Sequence, residues 1–398
     1  MKILVINVVY EYGSTGVIVK NLCDYYKEAG NDVFVISGRG KRHSGKDYPV
    51  YKLTSELESK FFHFLSLFSG NLYGGMPFST KKIIKKIKAI NPDVVHLHCI
   101  NGFFVNLYKL LSFLKEAKIK TILTNHAEFM MTANCGYTIS CEKWKNLECK
   151  SCDRVCEFAG KFALNKTHKY YLKLKESLEN FSTLKVTCVS QWLTSRIKSS
   201  PLYSDVPVNT ILNPVCVNES NNINPFVDAL NRTKKAKVAL FICTQLDNME
   251  KGFTKFRSLA KEMIDSDYLF ILVGSNYNFE KDENNIICFG PKTNSELSSY
   301  YKYADVTLLL SMRETFSMVA AESQCNGCPV VGYLSGGPET ICLPNYSRFV
   351  DYGNNEAIRE ILLAQSFSFN SDERKRISEL ATEKFNLRNI GDQFLKLW

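Results

Sequence analysis

The chain lacks any apolar run of the length needed to cross a bilayer. Met1 leads directly into the strand-like KILVINVV, without a charged start and small-residue cleavage site. On that reading the protein is expected to be cytoplasmic. None of the usual nucleic-acid modules is present, so a nucleic-acid partner is not expected. The Gly-x-Gly-x-x-Gly dinucleotide fingerprint is also missing where it would fall, after the first strand. What remains is a chain of 398 residues that is 45% hydrophobic, enough for large cores and in favour of two domains over one. Its formal net charge of +10 invites a polyanionic partner such as an anionic membrane face or a diphosphate-bearing substrate.

Short apolar runs alternate with helix-compatible segments along the whole chain. KILVINV, DVFVIS, DVVHLH, KTILTN and LKVTCVS occupy the first half, with helices expected over 104–117 and 158–181. KVALFIC, YLFILVG, NIICFG, DVTLLL and CPVVGY restart the rhythm after Asn213-Pro214. Such alternation predicts α/β architecture with parallel sheets covered by helices on both faces. The expected arrangement is two doubly wound, Rossmann-like domains facing across a cleft, 1–205 and 206–384. An amphipathic helix, 385–398, is expected to pack back on the first domain.

The segment RETFSMVAAES sets Glu314 and Glu322 eight positions apart around an apolar run, just after the strand DVTLLLS. Glu314 falls in the turn and Glu322 on the following helix, with the amides of Thr315, Phe316 and Ser317 expected as that helix's unpaired first donors. Two carboxylates around an oxyanion cradle suit a ligand carrying hydroxyls and phosphates, such as a sugar nucleotide. A chance pairing with a favourable helix-dipole contact is the plain alternative. Lys251-Gly252 opens another helix, where an ammonium and free amides together suit a diphosphate. Gly336 and Gly337 permit a backbone cradle before Glu339.

In the first half, YEYGSTG places Gly13 and Gly16 around Ser14 and Thr15, which are expected to cap a helix after a tight turn. His96 and His98 are expected on opposite faces of one strand, with His98 the better placed for a cleft. Asn101 follows in CINGFF, and His126 ends the strand TILTNH. A histidine at the carboxyl end of a parallel strand is either a cleft residue or a capping or core histidine.

Five of the 14 cysteines, Cys135, Cys141, Cys149, Cys152 and Cys156, fall in one loop. The first four have spacing that suits a structural zinc stapling that loop, with Cys156 spare; free thiols are the alternative. KFFHFLSLF, Lys60 to Phe68, is followed by KKIIKKIK, Lys81 to Lys88. Apolar bulk beside a lysine cluster suits a membrane surface, and a core-facing helix followed by a solvated one is the alternative.

Lys251-Gly252, Glu314-x7-Glu322 and the GGPE turn, after an N-terminal domain that opens on a glycine loop, resemble the retaining glycosyltransferases of family 4, of GT-B fold. The opening NVVYEYGSTGVIVKNL, HLHCINGFFVNL and the Cys-rich loop are similar to those of bacterial exopolysaccharide, capsule and lipopolysaccharide transferases of the colanic-acid type. The resemblance implies a nucleotide-sugar donor on the C-terminal domain and a lipid-linked saccharide acceptor on the N-terminal one, at the inner membrane face, with no cofactor for catalysis. It gives Glu322 the ribose hydroxyls, Glu314 the transferred sugar with Thr315 to Ser317 near it, and Lys251 the leaving diphosphate. It makes His126 the active-site histidine, lets Gly16 close a loop over the phosphates, and sets His98 and Asn101 on the acceptor side. The family's usual diphosphate arginine is replaced by Gln245, which leaves leaving-group stabilisation to Lys251, helix amides, Arg313 or a metal. A GT-B sugar-nucleotide epimerase and a sugar-nucleotide-binding module without catalysis are the rival readings.

Overall fold

A computed structural model describes residues 1–40, 47–132, 134–155, 157, 160–217, 223–278, 284–364 and 367–398. It divides into two compact units, Met1–Pro214 with Leu387–Trp398, and Val215–Asn386. Val208–Thr210 adds a last strand to the first sheet, and the first unit runs on to Pro214. Leu387–Trp398 belongs to the first unit.

In the first unit the elements run β1 (Lys2–Asn7), α1 (Gly13–Glu28), β2 (Asp32–Ser37), β3 (Val50–Lys52), α2 (Glu56–Ser69), α3 (Pro77–Ile90), β4 (Val94–Leu97), α4 (Leu107–Glu116), β5 (Lys120–Asn125), α5 (Lys143–Asn146), α6 (Thr167–Leu178), β6 (Leu184–Cys188), α7 (Gln191–Lys198) and β7 (Val208–Thr210). The sheet has the order β3-β2-β1-β4-β5-β6-β7, parallel throughout. Ile3 to Ile6 are wholly buried, as continuous apolar strands require when helices cover both faces. The order reverses between β1 and β4, which are hydrogen-bonded neighbours.

The second unit repeats the plan with α8 (Val227–Thr233), β8 (Lys237–Ile242), α9 (Phe253–Glu262), β9 (Tyr268–Val273), β10 (Ile286–Cys288), α10 (Asn294–Tyr303), β11 (Val306–Leu309), α11 (Met318–Cys325), β12 (Val330–Tyr333), α12 (Pro338–Ile341), β13 (Ser347–Val350), α13 (Asn355–Leu363) and α14 (Ser371–Lys384). Its parallel sheet has the order β10-β9-β8-β11-β12-β13, reversing between β8 and β11. Alternate residues of β8 feed two cores: Ala239 and Phe241 join Phe256 and Phe270, while Val238 and Leu240 join Phe226 and Tyr301.

The last helix, α15 (Leu387–Leu395), lies against α1 in the first unit. Gly391 makes that approach possible, since a Cβ there would meet the Tyr25 ring at 2.1 Å. The Tyr25 hydroxyl donates to Asp392 across the same contact. Two helix boundaries differ from expectation. The segment before Thr167 is not continuous helix, so α6 is shorter than 158–181. α1 starts at Gly13, so Ser14 and Thr15 lie inside its first turn and the N-cap, Tyr12, makes no side-chain capping bond.

Candidate active site

Ligands of open α/β sheets bind where the strand order reverses, at the carboxyl ends of the strands. Each unit has one such point, and the chemistry-bearing residues gather at both.

In the second unit the loops after β8 and β11 meet. Asn248 accepts from the Glu250 amide at 3.0 Å, folding the first loop back, and the Met312 amide donates to the Glu250 carbonyl at 2.7 Å. Gly252 has φ +81° and sits so close to β11 that a Cβ would lie 2.1 Å from the Leu310 carbonyl oxygen. Only glycine fits there. The approach sets Lys251 Nζ 2.9 Å from Glu314 Oε1, although 63 residues separate them. Burial pulls the Lys251 pKa down, but the ion pair and hydrogen bond to Glu314 outweigh it and hold the ammonium charged.

Glu314 is fixed from its other side by a parallel bridge to Gly336. Its amide donates to the Ser335 carbonyl at 3.0 Å and its carbonyl accepts from the Gly337 amide at 2.8 Å. The helix after it begins later than expected: Ser317, at φ +74°, is the N-cap and bonds the Ala320 amide, so Thr315, Phe316 and Ser317 lie in the turn before α11. Glu322 follows within α11. Its carboxyl is pushed up to about 7 by burial, against a 3.1 Å hydrogen bond donated by Tyr301 that acts the other way. Arg313 is half-buried beside Glu314, while Gln245 is exposed on the β8 loop. The cradle at Gly336-Gly337 is already served from within, because Glu339 accepts from the amides of Ser335 and Gly336. Tyr301 was missed by sequence reasoning, since it carries no motif signal in isolation; Glu339 was noted after the glycines, but not as the group that fills their cradle.

In the first unit the corresponding loops follow β1 and β4. The Val8 amide donates to the Cys99 carbonyl, and Asn7 Oδ1 accepts from the Cys99 amide, both at 3.0 Å. His98 and His126 meet here, with His98 Nδ1 3.0 Å from His126 Nε2. The His96 ring stacks on His98 at 4.1 Å, so the two share a face; residues two apart on a strand return to the same side, and the expectation of opposite faces is corrected. His96 bonds Thr124 at 2.7 Å, Thr124 bonds Thr187 at 2.8 Å, and Phe394 packs over the His96 ring at 4.8 Å. Burial pushes His96 down to about 3 and His126 down to about 4, and carries His98 well below the usual histidine range. The site is therefore neutral at physiological pH. Asn101 is half-buried in the segment after β4. Gly16 is buried inside α1, where its carbonyl accepts from the Glu11 amide, so it packs the loop and does not form the turn itself.

Side chains far apart in sequence hold the Cys-rich loop. Glu128, wholly buried, pairs with Arg196 and accepts from the Thr138 amide at 2.7 Å. The Arg196 guanidinium lies between the rings of buried Trp144 and of Trp192, at 5.1 and 5.0 Å. Cys135 and Cys149 are buried, and Cys141 and Cys152 are half-buried. Among the described residues no three or more His, Cys, Asp or Glu side chains are placed to hold a metal ion, and Cys156 lies outside those residues. The expected zinc set therefore finds no support. Among the described residues, also, no helix is long and apolar enough to cross a membrane.

The sequence and the fold match known proteins. The family model described as "Glycosyltransferase Family 4" matches residues 15–218, just over half the chain, and "Glycosyl transferases group 1" matches 217–384. The chain belongs to glycosyltransferase family 4. An "uncharacterized 41.2 kDa protein in cps region" of Klebsiella pneumoniae is 23% identical over 321 residues, 79% of this chain and 81% of that one. Sucrose-phosphate synthase from Thermosynechococcus elongatus superposes with a TM-score of 0.67 at 16% identity, over 100% of this chain and 98% of its own. Anabaena HepE in complex with UDP gives 0.65 at 13%, over 100% and 99%, and HepE is also seen with UDP-glucose. This family 4 chain is thus a glycosyltransferase of the GT-B type.

Proposed function

We propose that this glycosyltransferase moves a hexosyl group from a nucleotide-sugar donor onto a lipid-linked saccharide, with retention of anomeric configuration, in the assembly of a bacterial surface polysaccharide. The observation that carries the donor half is the Lys251–Glu314 pair at the reversal point of the second sheet, with Glu322 half-sealed beyond it. Glu322, when ionised, accepts both hydroxyls of a ribose diol. Lys251 neutralises the departing diphosphate and Glu314 orients the sugar's hydroxyls. UDP and UDP-glucose in complexes of HepE support a uridine nucleotide as the first donor to try. The cps-region relative supports the polysaccharide setting.

In the reaction the anomeric carbon–oxygen bond to the diphosphate breaks, and the bond to the acceptor oxygen forms on the same face. The acceptor's hydroxyl proton passes to the departing diphosphate, so no flanking pair of catalytic carboxylates is required, unlike hydrolysis. The protein's part is positioning and charge stabilisation. His126, beside the reversal point of the first sheet, is the neutral group offered to the transferred sugar, with His98 and Asn101 on the acceptor side.

A thermal-shift screen over UDP-, GDP-, ADP- and dTDP-sugars tests the donor half, because a specific ligand raises the melting temperature by mass action. Glu322→Ala should erase both the shift and the transfer. No shift from any nucleotide sugar would sink the reading. Gln245, exposed and uncharged where a second cation is usual, favours one rival: a binding module without turnover. A donor-dependent shift with no transfer over a broad acceptor panel would select that rival.

A further inference from the structure

A side chain in a site is held only as precisely as its hydrogen bonds and packing fix its ring. The two buried histidines at the end of β4 differ in this respect. His98 has one hydrogen bond, between Nδ1 and His126 Nε2 at 3.0 Å, and its Nε2 is buried with no partner among the described residues. One bond lets an imidazole turn about it. The ring stacked on His98 is that of His96, 4.1 Å away at a tilt of 35°.

His96 is bonded through both nitrogens. Nδ1 meets the Tyr26 hydroxyl at 3.3 Å and Nε2 meets Thr124 Oγ1 at 2.7 Å. Tyr26 is wholly buried, and a hydroxyl that accepted from Nδ1 would leave its own proton unpaired there. The Tyr26 hydroxyl therefore donates to Nδ1, and the His96 proton sits on Nε2 and is donated to Thr124. Thr124 is bonded in turn to Thr187 on β6 at 2.8 Å.

The packing around His96 comes from far along the chain. Phe394, buried on α15, lies 4.8 Å from the His96 ring. Trp398 lies 6.1 Å from that ring and 5.8 Å, edge-on, from the ring of Tyr26. The segment is also anchored apart from these rings, because Tyr25 donates to Asp392 and Lys185 donates to the Leu397 carbonyl. Trp398 Nε1 is buried with no partner among the described residues, which costs free energy, so ring contacts are what keep the indole in place.

We infer that Phe394 and Trp398 are positioning residues: through His96 they set the plane of His98, and with it the place of His126. What His126 then does rests on the transferase reading. The column of rings itself can be read without turnover.

Ring-nitrogen NMR of the full chain with isotope-labelled histidine reads tautomer and surroundings at each imidazole, and His96→Asn and His98→Asn identify the signals. In the parent at neutral pH, His96 should carry its proton on Nε2. Trp398→Ala should move or broaden the His96, His98 and His126 signals. Those of His63, which meets Phe103, and of His168, which meets the Glu148 carbonyl, should stay in place. Trp398→Phe should restore the moved signals, since a flat ring is back. Phe394→Leu keeps apolar bulk without a ring, so it should move them again in a protein that still melts cooperatively. UDP release from UDP-glucose, with water as acceptor, gives a second readout. Trp398→Ala should lower kcat roughly fivefold to tenfold with the UDP-glucose KM unchanged, and Trp398→Phe should recover most of the loss.

Unchanged His98 and His126 signals in both Trp398→Ala and Phe394→Leu would overturn the inference, as would a parent His96 protonated on Nδ1. Equal movement of the His63 and His168 signals would overturn it too, because the segment would then only stabilise the unit as a whole. No UDP release by a parent whose ring signals respond as expected would count against the transferase reading alone.

Discussion

The two sheets reverse their strand order in the same way, yet their reversal points are chemically unlike. In the second unit the meeting loops bring a lysine to a carboxylate and half-seal another carboxylate on the next helix. In the first unit they bring imidazoles together, and burial keeps all of them neutral. One fold plan thus carries a charged site once and a neutral one once; in the proposed function the first suits an anionic, diol-bearing donor and the second an uncharged hydroxyl. What differs is a few loop residues, which is where α/β proteins carry their function.

The contrast breaks most sharply at Lys251. Lys251→Ala removes the cation from the charged site and leaves Glu314 without its partner, and kcat/KM should fall about 10²–10³-fold. Lys251→Arg should recover part of it. A fall of less than about tenfold in steady-state kinetics would deny the lysine its role on the diphosphate. Gly252→Ala should cost about 1–3 kcal/mol of stability, since φ +81° and the Leu310 carbonyl both oppose a side chain, and thermal melting reads this directly.

On the neutral side the expected effects are smaller. His98→Asn removes the ring that meets His126 and should lower kcat about tenfold while the donor KM stays put. Equal losses in kcat and donor affinity would mean that the pair is not an acceptor-side device. The two points should also differ in pH response. Glu322 sits at about 7 in the folded chain against an ordinary 4.5, so between those values the folded state binds more protons than the unfolded one. Ligand-free stability should thus be highest below about 4.5 from this group and decline as pH rises toward 7, by no more than about 3 kcal/mol. Nucleotide affinity should move the opposite way, rising up to about tenfold per unit below 7, because the diol donates to the ionised form. The histidines, pushed to about 4 and lower, should add no pH dependence between 6 and 8.

Much of this was legible in the sequence. Continuous apolar strands and their alternation with helices yield both sheets, and Lys251-Gly252 with Glu314 names the pair that the fold brings to 2.9 Å. The residues that escaped are those whose role depends on a partner far away in the chain. Glu128 and Arg196 hold the Cys-rich loop across 68 positions, which left zinc as the visible explanation for order in that loop. Tyr301 reaches Glu322 from another helix. Glu339 is a different case: it was named beside Gly336-Gly337, and only the geometry shows that its carboxylate fills their cradle from three and four positions away. The start of α11 moved because Ser317 accepts a left-handed conformation to cap it, which no propensity suggests for serine. KFFHFLSLF was readable as amphipathic, but which way its stripe faces is settled only by the serines it buries.

The most direct test of the charged site is calorimetric titration of the unliganded protein and of Glu322→Gln with the nucleotide sugar that gives the largest thermal shift, at pH 8. Glutamine keeps the shape and can still meet Tyr301, so the variant should fold and melt at or above the parent temperature. Its affinity should be about 10²–10³-fold weaker, the worth of two hydrogen bonds to a charged acceptor. Unchanged affinity in a folded Glu322→Gln protein would contradict the assignment of that carboxylate to the nucleotide.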